Sequence, residues 1–194
     1  MEGEDLVDAA AGQGIEPVEL LVAGEDVEPE LLGEVSTLGH APRMVGVFRR
    51  GDLPRGARDV ALGLWHVSDP GNVGTLLRAA DAFGACVSLS EGCADPLGSK
   101  ALRASAGAIF RVPLLDFDDA PGTRVSLVAH GARPLQELEL SGPTTFLLGA
   151  ERDGLPQELV DASDHVATIP TSGAAESLNV AVAGAIALYE RSRR

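Results

Sequence analysis

Three segments of the chain place glycine beside a carboxamide, a hydroxyl or a charged side chain: DPGNVGTLLRAADAFG at 69–84, LLGAERDGLP at 147–156 and IPTSGAAESLNVAVAGAIALYE at 169–190. Each follows or contains the end of a run of strand character, which is where open α/β sheets bind ligands. Across the segments glycine stands with Asn, Ser or a charged residue at loop positions, among them Asn72, Glu151, Ser177 and Asn179, and the glycines allow close backbone approach. Taken singly, each also has a plain structural reading. Asn72 can cap a helix, Glu151 can be a surface acid in a turn closed by Gly154, and Ser177 and Asn179 can be the cap and first turn of the last helix. Other chemistries find less support. His66 and Asp69 lack a GxSxG elbow, no GxxxxGK[ST] phosphate loop occurs, and Cys86 and Cys93 have no histidine companions at metal-ligand spacing, so they read as free thiols.

The elements that must position these residues follow α/β grammar from residue 59 onward. VALGLWHV reads as a buried strand, SDPG as a turn, and a helix is expected from about Asn72 to Phe83. Further strands are expected at ACVSLS, RVSLVAH, TTFLLGA and HVATIP, helices near SKALRASAG and PQELVDAS, and a last helix from Ser177 to about Arg191. The sheet should be mainly parallel and covered on both faces. In the first helix Val73, Leu76, Leu77, Ala80 and Phe83 share a face, with Arg78 opposite. In the last, Leu178, Val182, Ile186 and Tyr189 are expected as the apolar stripe, and Ala181, Gly184 and Ala185 as a small-residue surface suited to a helix pair or a dimer seam.

Residues 1–58 differ in composition. They carry twelve acids and five arginines, and Arg43, Arg49, Arg50, Arg55 and Arg58 all fall in the last sixteen positions. EDLVDAAAGQG and PELLGEVSTLG read as helices, VELLVA and MVGVFRR as strands, and RGDLPRGARD as a linker. The whole chain of 194 residues has a net charge of −14, which excludes nucleic-acid binding by bulk charge and leaves any such contact to a local basic patch. The start, MEGEDLVDAA, is acidic from its second residue, and no apolar run reaches about 18 residues, so a cytoplasmic protein without membrane segments is expected.

In their order and spacing the three segments resemble the SpoU/TrmH family of RNA 2′-O-ribose methyltransferases, of the SPOUT class, over residues 59–194. The pattern NxGxxxRxAxxxG is matched by Asn72, Gly74, Arg78, Ala80 and Gly84, and GxExxGL by Gly149, Glu151, Gly154 and Leu155. IPxxGxxxSLNVxxAxxI followed by LYE is matched by Ile169, Pro170, Gly173, Ser177, Leu178, Asn179, Val180, Ala183, Ile186, Leu188, Tyr189 and Glu190. Ala181 departs from the family, which often has serine there. The segment SKALRASAGAIFRVP also resembles the family's stretch between its first and second motifs.

The resemblance implies an α/β SPOUT domain with a trefoil knot at 59–194, preceded at 1–58 by a partial α/β RNA-binding module and linker. The basic helix that usually opens such a module is missing from these residues, so either a true start upstream of Met1 or a shortened module is expected. The implied reaction is methylation of a ribose 2′-hydroxyl by S-adenosylmethionine, in ribosomal RNA ahead of transfer RNA, with a non-catalytic RNA-binding protein as the alternative. Arg78 would activate or electrostatically stabilise the hydroxyl oxygen, Asn72 and Asn179 orient it, and Glu151 and Ser177 shape the site. Leu148, Gly149, Glu151, Ile169, Pro170 and Leu178 would hold the cofactor, and Arg43, Arg49, Arg50, Lys100 and Arg103 would contact RNA. No metal is implied. A homodimer is, with the last helix near the seam and the active site completed across subunits.

Overall fold

A computed structural model of the chain describes residues 1–37, 40–173 and 176–193. Leu38 and Gly39, at the end of the second expected helix, and Ala174 and Ala175, inside the third motif segment, lie outside the described residues.

The body is a seven-stranded sheet built from β3 (Val60–Leu64), β4 (Cys86–Leu89), β5 (Leu114–Asp116), β6 (Thr123–Leu127), β7 (Arg133–Pro134), β8 (Thr144–Leu148) and β9 (His165–Thr168). Its order is β5-β4-β3-β8-β6-β9-β7, with every neighbouring pair parallel. The chain runs outward from β3 to β5 and returns to lay down β6 and β7. It then inserts β8 between β3 and β6, and β9 between β6 and β7. The central strands read as near-continuous apolar runs because they are covered on both faces: β8 is buried along its whole length, and β3 from its second residue. The expected strands all form. β5 and β7 were not expected, being three and two residues long, and Pro134 is tolerated because β7 is an edge strand.

Helix α3 (Pro70–Ala82) starts two residues before the expected boundary. Asp69, not Asn72, is its cap: the carboxylate accepts the Asn72 amide N–H at 3.0 Å, and Pro70 occupies the first turn, where a missing N–H costs nothing. Of the expected face Val73, Leu76, Leu77 and Ala80 are buried, and Arg78 is exposed on the far side; Phe83, expected on the same face, is instead the exposed C-cap, where the helix has ended. Gly74 permits the close crossing of α3 on α4 (Ser99–Ser105). A Cβ there would come within 2.4 Å of the Ala101 carbonyl oxygen and 2.9 Å of the Ser105 amide nitrogen, both backbone atoms that cannot give way.

Helix α6 (Val180–Ser192) corrects two expectations. It begins three residues after Ser177, with Asn179 as its cap, so Ser177 and Leu178 lie in the loop ahead of it. Its face is also turned: Val180, Ala181, Gly184, Ala187 and Leu188 are buried, while Val182 and Tyr189, expected in the buried stripe, are 47% and 54% exposed. The helix is apolar all round, and depth of approach selects the small side. The space of a Gly184 side chain is filled by Leu76 Cδ2 and Leu148 Cδ1, at 2.4 and 2.9 Å from the Cβ position.

Residues 1–58 form α1 (Glu4–Ala11), β1 (Glu19–Val22), α2 (Pro29–Val35) and β2 (Met44–Val47), with β1 and β2 antiparallel. This part packs directly on the body. Leu6 and Ala10 belong to the main hydrophobic core, Phe48 meets Phe110 edge-on at 5.4 Å, and Ala9 occupies the place of a side chain at Gly107. Arg58 anchors the junction, its guanidinium donating to the carbonyls of Ala85 at 3.3 Å and Arg111 at 2.6 Å. Helix α5 (Gln157–Asp161) completes the fold between β8 and β9.

Gly74→Ala should destabilise the protein by at least about 2 kcal/mol, because the new methyl group meets backbone on α4. Urea denaturation checks this, with a larger loss than for Gly51→Ala, whose Cβ would meet only Arg55 Nη2, at 3.8 Å.

Candidate active site

The insertion of β8 brings the C-terminal ends of β6, β8 and β9 together, and a cavity of about 430 Å³ opens there. Its wall is made by residues 127–130 after β6, 148–154 after β8, Ile169 and Thr171 after β9, and 176–180 leading into α6. The floor is apolar, from Leu148, Leu178, Val180 and Ala183. A space of this size suits a ligand of nucleoside dimensions. Among the described residues no cluster of histidine, cysteine or carboxylate side chains could hold a metal, and no helix is long and apolar enough to cross a membrane.

Two glycines shape the β8 loop. Gly154 has φ +67°, and Ala150 and Gly154 form an antiparallel bridge, with the Gly154 amide donating to the Ala150 carbonyl at 2.9 Å. A Cβ on Gly149 would lie 2.1 to 2.4 Å from the backbone of Gly154 and Leu155. The backbone that Gly149 admits is thus its own loop, where the motif reading anticipated a ligand. The fold-back turns Glu151 toward α3.

A directed chain of hydrogen bonds crosses the rim. Asn179 Oδ1 accepts the amide N–H groups of Ala181 at 2.9 Å and Val182 at 3.3 Å, capping α6. That leaves Asn179 Nδ2 to donate to Asn72 Oδ1 at 3.1 Å, and Asn72 Nδ2 to donate to Glu151 Oε1 at 2.9 Å. The orientation of both carboxamides follows from the cap, since the oxygen committed to backbone N–H groups fixes where each NH₂ points. At the start of α3 the Asp69 carboxyl is held below its usual value, first by the hydrogen bond from the Asn72 amide and then, against a small desolvation cost, by Lys100, whose ammonium lies 3.4 Å away.

The candidate residues therefore separate. Asn72, Glu151 and Asn179 are joined; Glu151, Ser177 and Asn179 line the cavity together with Leu148, Gly149, Ile169 and Leu178. Pro170 is exposed and does not line it. Arg78 lies outside the cavity, exposed, with no hydrogen-bond or ionic partner among the described residues. Of the basic candidates, Arg49 and Arg50 are exposed, Arg43 pairs with Glu4 at 2.9 Å, Lys100 pairs with Asp69, and Arg103 donates to Thr37 Oγ1 at 3.2 Å. The motifs did not single out His130, Thr171 and Glu176, which also line the cavity. The only signal for His130 was its place as the last residue of the expected strand RVSLVAH.

Residues 59–189 match the SpoU rRNA Methylase family. A Bacillus subtilis protein named 23S rRNA (guanosine(2553)-2′-O)-methyltransferase RlmP is 39% identical over 134 residues, 63% of this chain and 54% of its own length. A Streptomyces viridochromogenes protein named 23S rRNA (uridine(2479)-2′-O)-methyltransferase is 33% identical over 188 residues, 86% of this chain and 66% of its own. The chain spans about half to two thirds of the length of these curated relatives. The crystal structure of the SpoU methyltransferase AviRb from Streptomyces viridochromogenes, in complex with AdoMet, superposes with a TM-score of 0.84 at 25% identity, covering 100% of this chain and 88% of that one. That of an AdoMet-bound rRNA methyltransferase from Sinorhizobium meliloti gives 0.85 at 28% identity, with coverage of 100% and 86%. With the family match spanning the sheet and all three loops of the cavity, the chain belongs to the SpoU rRNA Methylase family.

Proposed function

We propose that this chain methylates a ribose 2′-hydroxyl in ribosomal RNA, using S-adenosylmethionine, in the cytoplasm. The observation that carries the reading is the Asn179–Asn72–Glu151 chain of hydrogen bonds at the rim of the nucleoside-sized cavity. The cavity fits the cofactor: apolar side chains of Leu148, Leu178, Val180 and Ala183 for an adenine ring, and the loop residues Gly149, Ala150 and Ser177 for the ribose and amino-acid parts. Leu148, Gly149, Ile169 and Leu178 would hold it, and it supplies an electrophilic methyl group.

The chain's own residues must then present a weak nucleophile in line and accommodate the charge left as its proton departs. Asn72 and Asn179 are held in fixed orientation for the first task, with Glu151 and Ser177 shaping the rim. Arg78 serves the second. Guanidinium stays protonated in proteins, so its contribution is stabilisation of the developing alkoxide. Its position outside the cavity of a single chain supports a homodimer in which Arg78 is brought to a shared site. Phe83, Val182 and Tyr189, at 36%, 47% and 54% exposure, offer the apolar seam, and the Phe83 and Tyr189 rings already meet at 6.4 Å.

Residues 1–58 form the RNA-binding module in this reading and residues 59–194 the catalytic domain. Arg43, Arg49, Arg50, Lys100 and Arg103 are the cations available for phosphate, with Arg49 and Arg50 the least engaged. The late insertion of β8 and β9 between strands already laid down supports a trefoil-knotted path.

Transfer of labelled methyl to separated ribosomal and transfer RNA pools tests the proposal. Label should enter ribosomal RNA, and Arg78→Ala should abolish it while cofactor affinity changes by less than about twofold. Label in transfer RNA alone would replace the substrate, and loss of cofactor binding by the variant would give Arg78 a pocket role instead. Asn179→Asp keeps the capping oxygen but turns the donor facing Asn72 into an acceptor, so methyl transfer should fall by at least about tenfold with little change in melting temperature. Light scattering should report a dimer for the native chain and a monomer for Val182→Glu.

A further inference from the structure

The loop that leads to Asp69 and helix α3 begins with Trp65 and His66, which none of the motifs includes. Trp65, the only tryptophan of the chain, donates its amide N–H to the Leu148 carbonyl at 2.8 Å, so it abuts β8 beside Gly149. His66 donates its amide N–H to Ser90 Oγ at 3.0 Å, on the β4 side. The pair thus stands at the same edge of the sheet as the cavity, one strand spacing, about 4.8 Å, from β8.

Three features fix the His66 ring. Its backbone is left-handed, φ 52°, a conformation that glycine adopts at less cost. The imidazole lies flat on the Trp65 indole, centroids 4.7 Å apart at 11°, and Phe117 braces the indole edge-on at 5.3 Å. A Cβ on Gly92 would lie 3.3 Å from imidazole Cγ and Cδ2 and 3.4 Å from Nδ1, near-equal distances that put Gly92 over the plane of the ring. His66 is exposed, and its ring nitrogens have no hydrogen-bond partner among the described residues. A strained residue, a glycine that makes room and an aromatic support together hold an imidazole whose donor and acceptor serve nothing inside the protein.

We propose that the His66 edge hydrogen-bonds a nucleobase of the substrate RNA, next to the nucleotide that is methylated; this rests on the methyl-transfer reading above. Single-stranded RNA is read through such contacts to base edges. A base fits better than a phosphate because Asp69, Glu91 and Asp95 flank the loop, and the nearby Lys100 already pairs with Asp69. His66 is in this account a specificity residue, and neither the cofactor cavity nor the Asn72 chain depends on it.

Trp65 emission gives the test, since the indole under His66 is the sole source of tryptophan fluorescence. Short single-stranded oligoadenylate, oligocytidylate and oligouridylate are titrated into the full-length native protein, His66→Phe and His66→Gly. His66→Phe keeps the stack without the nitrogens; His66→Gly removes the ring at a position whose backbone suits glycine. One homopolymer should bind the native protein at least about fivefold more tightly than the others, and both variants should level that difference. The KM for ribosomal RNA should rise by about tenfold in both, with kcat and cofactor affinity within about twofold. Equal binding of all three homopolymers by the native protein, or an unchanged preference in both variants, overturns the proposal. A loss equal for every homopolymer and steeper at low salt also overturns it, in favour of a phosphate contact. Homopolymer binding requires no turnover, so it reads out His66 even if methyl transfer to ribosomal RNA fails.

Discussion

Asn179 has one side-chain oxygen, and helix α6 claims it. The first amides of that helix have no partner within the helix, and the two that Asn179 satisfies leave its NH₂ with a single direction, toward Asn72. Everything polar at the rim inherits its sense from this commitment. Asn72 must present its oxygen to Asn179 and its NH₂ to Glu151, and Glu151 must accept. A cap that stabilises a helix by about 1 kcal/mol thereby sets the polarity of a site spread over three strands of sequence.

Such a chain works only if its three members approach closely, and glycine makes that possible from behind. Gly184 lets α6 settle on Leu76 and Leu148, Gly74 lets α3 settle on α4, and Gly149 lets the β8 loop close on Gly154. None of these glycines need touch a ligand. Each removes a side chain between two pieces of backbone, and the sum places Asn179, Asn72 and Glu151 within hydrogen-bond distance.

Much of this was legible in the residues themselves. The face of α3 follows from helical spacing alone, because polar residues bound it on both sides, and the positions of Asn72, Glu151 and Asn179 followed from motif spacing. The face of α6 was not legible. With apolar residues all round, periodicity favours the larger side chains, whereas close packing selects the smaller, and only the shape of the α3 surface decides. The role of Gly149 was likewise hidden, since a glycine next to a ligand loop and a glycine inside a self-closing loop look alike in sequence. Strands β5 and β7 were too short to carry a pattern, and the pairing order, which makes the cavity, depends on contacts far apart in the chain.

That pairing order also governs how the chain acquires its fold. β3 gains its neighbour β4 soon after it is made, but its other edge waits until β8 emerges, after α4, β5, β6 and β7 have all been made. During synthesis the partial sheet β5-β4-β3 therefore exposes an open, apolar strand whose side chains are fully buried in the finished protein from Ala61 to Leu64. Contacts so distant in sequence are slow to form, and transiently open strand edges are the part of a nascent chain most prone to aggregate. The centre of the sheet, its most buried region once complete, is the region that most needs protection while the chain is being made.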